Sequence, residues 1–129
     1  MRLMDRVARA AVRVGLARRS TALIETIGRR SAAPRVTPVT NGLDGDVFWI
    51  VTEFGHQANY VRNIEADPHV RVNVGGGWRT GLAQIVDENP EERLQRIVAL
   101  NRRARSNAQI VRRVGTEHLV IRIDLTPDH

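Results

Sequence analysis

Apolar and polar positions recur along this chain with two periods, a helical one at the start and near the end and a two-residue one between. Residues 2–19 carry the helical period. Arg2, Arg6, Arg9 and Arg13 recur at spacings of four and three, which puts them on one face beside an apolar stripe of Val7, Ala11 and Val14. Gly15 weakens this predicted helix, and Arg18-Arg19-Ser20 ends it. From Thr21 the period shortens. Thr21–Ile27 is rich in β-branched residues and predicts a strand stopped by Gly28. Residues 28–34 predict a loop, and Arg35–Asn41 a second strand. Pro38 inside it cannot donate to a sheet ladder, so it marks an edge, bulge or bend. Asp44-Gly45 favours a tight hairpin turn into a strand over Asp46–Glu53.

Gly55 opens a loop, and residues 57–66 predict a short helix that stops before Pro68. His69–Val74 alternates, with Val70, Val72 and Val74 on one face; Gly75-Gly76-Gly77 turns the chain, and Trp78–Val86 returns it. Asn89-Pro90-Glu91-Glu92 is a helix start, with Asn89 as cap, Pro90 at the first position and Glu92 completing a capping box. Leu94, Ile97, Val98 and Asn101 share a face of that helix. Ser106–Val114 is ambiguous, with a helix as the candidate reading, and His118–Leu125 closes the chain as an alternating strand. The expected architecture is α+β and mainly β. About six strands joined by hairpins form a small antiparallel barrel, with a basic helix at 1–19 and two flanking helices. Residues 20–129 are expected to form one domain.

Composition narrows the chemistry. The chain has 129 residues and no Cys, which excludes disulfides, thiolate metal sites and Cys nucleophiles. All 20 basic residues are Arg, so Schiff-base chemistry and a phosphate-binding lysine are excluded. Residues 1–35 hold nine Arg against Asp5 and Glu25, so the formal net charge of +6 arises in the first quarter of the chain. Such a basic end suits an anionic partner. His56, His69, His118 and His129 lack metal-ligand spacing, so no metal site is expected. Ser20, Ser31 and Ser106 lack the glycines of a nucleophile elbow. Gly75–Gly77 lies between two strands, which is a hairpin and not a dinucleotide fingerprint. No apolar run reaches the roughly 18 residues of a membrane span. The expectation is a cytoplasmic protein. Residues 1–19 could make a weak peripheral contact with an anionic membrane surface. The aromatics lie apart from the Arg cluster, so no nucleic-acid partner is expected; oligomeric state is left open.

The densest candidate site is Gly28-Arg29-Arg30-Ser31-Ala32-Ala33-Pro34-Arg35. It places three guanidiniums and a hydroxyl within one turn-forming stretch, suited to phosphate or carboxylate. The competing reading is a solvated basic loop. Trp49, Phe54, Tyr60 and Trp78 are candidates to line a planar-ligand pocket, or else are core.

Thr26-Ile27-Gly28-Arg29-Arg30-Ser31, then Pro34-Arg35-Val36-Thr37-Pro38, then Asp44-Gly45-Asp46, resembles the deazaflavin-dependent nitroreductase family. Tyr60-Val61-Arg62-Asn63-Ile64-Glu65-Ala66-Asp67-Pro68-His69-Val70-Arg71-Val72 resembles its second motif. The resemblance implies a split β-barrel over about residues 20–125 that binds coenzyme F-420 and passes a hydride to a small-molecule acceptor. That acceptor is a quinone, a nitro compound or an activated double bond. It assigns Arg29, Arg30, Ser31 and Arg35 to the coenzyme's anionic tail. It sets Thr37, Pro38 and Tyr60 near the ring, and Phe54 and Gly55 in a cofactor-binding segment near the phosphate. FMN is the alternative cofactor, and a non-catalytic binder or a basic-helix interaction protein the alternative function. No catalytic residue is assigned; Tyr60 and His56 are candidate proton donors. Two departures stand out. Ala32 replaces the family's Gly, which predicts strain if that position needs positive φ. Glu53-Phe54-Gly55-His56 replaces a Ser-Lys-Gly-Gly-like segment expected near the phosphate.

Overall fold

A computed structural model of the chain describes residues 20–127. The basic helix predicted over 2–19 and the terminal His129 lie outside the described residues. Seven strands form one antiparallel sheet: β1 Thr21–Ile27, β2 Pro34–Thr40, β3 Leu43–Asp44, β4 Val47–Val51, β5 His69–Val74, β6 Gly77–Val86 and β7 Val120–Leu125. A single 3-10 turn, Gly55–Gln57, leads into α1, Asn59–Ala66. Between β6 and β7 lie α2, Pro90–Leu100, and α3, Arg105–Val114, separated by a second 3-10 turn.

The β1 and β5 boundaries match the sequence expectation; other bounds shift by a residue or more. The seventh strand, β3, is two residues long and pairs Leu43 with Phe48 and Asp44 with Val47 around the expected Asp-Gly turn. Gly45 adopts φ +60 there. The ambiguous segment 106–114 is helical. It carries no capping side chain to announce its start, and its apolar stripe is only partly covered: Ala108 and Val111 are buried while Ile110 and Val114 are about half exposed. At α2, Asn89 accepts from the Glu92 N–H at 3.0 Å, with Pro90 in the first turn, as the spacing predicts.

The sheet order is β2-β1-β5-β6-β7-β4-β3. Its two end strands, β2 and β3, are consecutive in sequence and joined only by Asn41-Gly42. Two residues span about 7 Å at full extension, so the sheet must curl until its ends almost meet. The result is a split barrel, pinned shut at Gly42. The Trp49 N–H donates to the Gly42 carbonyl at 2.9 Å. A Cβ on Gly42 would lie 2.0 Å from the Trp49 carbonyl oxygen, so no larger residue fits. Pro34 and Pro38 sit on β2, the edge where a missing donor costs no ladder bond.

Two cores flank β4, which explains its unbroken apolar run. Phe48 and Ile50 face the barrel interior with Ile24, Ile121, Ile123 and Val61 and Ile64 of α1. Trp49 and Val51 face outward under α2 and α3, against Leu94, Ile97 and Val111. The Arg93 guanidinium lies 3.5 Å from the Trp49 ring centroid and pairs with Glu88, so its buried charge is compensated. Among the described residues, no helix is long and apolar enough to cross a membrane.

Candidate functional site

The Arg-rich loop after β1 is built by short-range bonds. The Gly28 N–H donates to the Ala33 carbonyl, and the Ala32 N–H to the Gly28 carbonyl, each at 2.8 Å. Ala32 adopts φ +59, the one positive φ of a non-glycine among the described residues. Ser31 Oγ accepts from the Ala33 N–H at 3.2 Å and from Arg35 Nη2 at 3.5 Å. A Cβ at Gly28 would lie 2.8 Å from Ser31 Oγ, so glycine is what lets the hydroxyl fold inward.

Arg29 ties this loop to α1. Asn63 Oδ1 accepts from the Arg29 backbone N–H at 3.2 Å and from its Nη1 at 2.9 Å, and Asn59 Oδ1 from its Nη2 at 3.4 Å. Asn63 Nδ2 in turn donates to Thr26 Oγ1 at 3.1 Å, and both residues are buried. These neutral amides fix the guanidinium without spending its charge. Arg29, Arg30 and Arg35 have no carboxylate partner among the described residues.

Two cavities meet along the seam. One, about 440 Å³, is walled by the Arg loop, the start of β2 and α1. The other, about 380 Å³, is walled by the rest of β2, the end of β4, Phe54, Tyr60 and Val111 of α3. They share Thr37, Asn59 and Tyr60 and so form one cleft. It lies where β2 and β4, near opposite ends of the sheet, face each other unpaired.

Most candidate residues converge there. Arg29, Arg30, Ser31, Arg35, Thr37 and Tyr60 line the first cavity, and Pro38 and Phe54 the second. Gly55 does not line either; it is buried beneath Glu117 with φ +53, where a Cβ would lie 2.1 Å from Glu117 Oε1. Its glycine is needed for that close approach. His56 also stays outside the cleft. Its Nδ1 pairs with Glu117 Oε1 at 3.1 Å and its Nε2 with Glu65 at 3.5 Å. Trp49 belongs to the outer core and Trp78 stacks on Arg71, 4.9 Å from guanidinium carbon to ring centroid, so neither reaches the cleft. Glu53 lines the second cavity, away from the guanidiniums. Asn59 and Asn63 were not singled out from the sequence, although Asn63 lies inside the second motif.

Tyr60 is largely buried, and desolvation pushes its phenol above the ordinary value; the negative charge of Glu53 adds to the rise. At any working pH it is a neutral O–H. It can donate a hydrogen bond into the cleft, but so weak an acid is a poor proton source.

A family profile described as F420H(2)-dependent quinone reductase matches residues 1–125. Over 56 residues the chain is 36% identical to an F420H(2)-dependent quinone reductase of Mycobacterium tuberculosis strain H37Rv. A protein of Mycobacterium bovis named as a putative member of the same class matches equally, and each match covers 41% of this chain and 38% of the relative. The chain thus spans well under half the length of the curated relatives it matches. Among solved structures, an F420-H2 dependent reductase (FDR-A) superposes with TM-score 0.58 at 17% identity, over 81% of this chain and 94% of that one. HutZ, a heme storage protein from Vibrio cholerae, gives 0.58 at 16% identity over 100% and 92%. At such identities these likenesses establish the fold.

Proposed function

The chain belongs to the F420H(2)-dependent quinone reductase family, and on that premise we propose that it is an oxidoreductase that holds coenzyme F-420 in the seam and reduces a quinone, a nitro compound or an activated double bond. What supports this is the polarity of the cleft. One end presents three guanidiniums with no carboxylate partner among the described residues; the other is walled by Pro38, Ile50, Phe54 and Tyr60. A ligand with a flat ring at one end and a phosphate and glutamate tail at the other matches that order of surfaces.

When bound, the reduced deazaflavin supplies the hydride. The chain's own residues bind and orient. Arg29, held by Asn59 and Asn63, offers a guanidinium set in place before the anion arrives. Arg30 and Arg35 add exposed charge that draws the anion in. The Tyr60 Oη–H can hold a carbonyl or ring acceptor in register. Tyr60 is too weak an acid to supply the proton that completes the reduction, so that proton comes from solvent. Pro38, Ile50 and Val111 exclude water from the ring end.

A second reading is a non-catalytic binder of F-420 or FMN. It is favoured by Ala32, which holds a positive φ in the tail loop where the family pattern sets glycine. Parallel titrations of the protein with oxidised F-420 and with FMN, followed by an acceptor screen, separate these. Micromolar or tighter F-420 binding with turnover upholds the proposal. Tight binding without turnover across quinones and nitro compounds upholds the second reading, and FMN preference changes the cofactor. Binding of neither defeats both.

A further inference from the structure

One acidic side chain stands at the apolar end of the seam. Glu53 lines the 380 Å³ cavity together with Phe54, Pro38 and Tyr60, and also the shallower recess beside it that reaches Thr21 and Ile110. Its backbone carbonyl is already occupied, accepting from the Thr116 and Glu117 N–H groups at 2.8 and 3.3 Å. Among the described residues of that wall, Glu53 is the one with a charged side chain. That carboxylate has no hydrogen bond or ion pair among the described residues, and no basic side chain among them lines this cavity. The Tyr60 phenol feels its charge. A charge on the wall of a cavity acts on whatever the cavity holds.

The Glu53 carboxylate and the guanidiniums at the opposite end give the described part of the seam an electrical polarity. We propose that Glu53 determines acceptor specificity: it turns away anionic acceptors and admits neutral or cationic planar ones. An anionic acceptor meets repulsion at the ring end and attraction at the Arg end, where the coenzyme tail would already sit. A neutral quinone meets neither. The inference rests on the oxidoreductase reading, since it names the acceptor class of the same cleft. Glu53 touches no reacting atom in this scheme; it selects by charge.

The test compares a neutral naphthoquinone with its sulfonated analogue on the full chain, in the wild type and in Glu53→Gln and Glu53→Asp. Each acceptor is compared with itself across variants, so differences in redox potential cancel. Glu53→Gln should raise kcat/KM for the sulfonated quinone several-fold, about what one partly screened charge a few ångströms away is worth, and leave the neutral quinone within about twofold. Glu53→Asp should keep the wild-type discrimination. A parallel change for both quinones, or for neither, overturns the proposal. If the wild type reduces no acceptor, the oxidoreductase reading falls. Calorimetric titration of the same two quinones then still decides on Glu53. A gain in sulfonated-quinone affinity alone in Glu53→Gln upholds its role. An unchanged affinity ratio, or failure of the neutral quinone to bind, refutes it.

Discussion

Ala32 shows how a single residue can be read ahead of the structure. The family pattern sets glycine there, and the observed φ of +59 is one that glycine adopts freely and alanine does not. The left-handed conformation costs an L-residue roughly 1–2 kcal/mol, while glycine adds some unfolded-chain entropy. Ala32→Gly should therefore stabilise the protein by about 0.5–1 kcal/mol, read as a higher denaturant midpoint. A lower midpoint would show that the loop bears no strain. Arg29 is the other informative residue. Charge-assisted hydrogen bonds contribute about 1.5–3 kcal/mol each, so Arg29→Ala should weaken F-420 binding by about 2 kcal/mol, some thirtyfold in Kd. Unchanged affinity would sink the tail-site assignment. The Arg loop was legible because its chemistry is local. Asn59 and Asn63 were not, because their partner Arg29 lies 30 and 34 residues away and only the fold brings them together. Gly55 packs against Glu117 and does not line the cleft, a contact across the chain that the local sequence does not announce.

At the scale of elements, strands with one buried face announced themselves by alternation, and α2 by its cap. The segments with little local signal were the two-residue β3, which went unpredicted, and α3, which stayed ambiguous because no capping side chain marks its start. The turn between β4 and α1 is held by a contact no periodicity encodes. Glu117 Oε1 accepts from the His56 backbone N–H at 2.7 Å, and Phe54 bridges Glu117 in parallel. That backbone bond, foremost, holds the Glu117 carboxyl below its ordinary 4.5, with the His56 ring adding to the effect. A carboxyl with a depressed folded pKa stabilises the protein above its unfolded value. The contribution fades as pH falls below about 4.5 through the lower folded value. Glu117→Gln removes that titration. Its unfolding midpoint should decline less steeply than the wild type's between about pH 5 and pH 3. Identical acid profiles would show that the bond carries no stability.

Over the whole molecule, the positive charge is concentrated before residue 36, much of it in residues 1–19. If that end contacts anionic lipid, the full chain should sediment with anionic vesicles at low salt. It should be released near 0.15 M salt, where screening shortens to about 8 Å. Deleting residues 1–19 should abolish sedimentation. A full chain that stays in the supernatant at low salt would retire the idea. The antiparallel barrel was legible from hairpins and turns. The seam was not, because nothing in a strand's own residues says which strand it will fail to pair with.

That unpaired seam has a thermodynamic consequence. Elsewhere in the barrel neighbouring strands are zipped by their own amides; among the described residues no ladder pairs β2 with β4, which the Asn41-Gly42 pin holds at one end. A molecule lodged between them does the work of the missing ladder, so occupancy and cohesion rise together. The melting temperature should climb with the logarithm of ligand concentration. Amide exchange should slow most in β2, the strand whose outer edge lies against the seam. Starved of its ligand, the barrel would breathe at this join first.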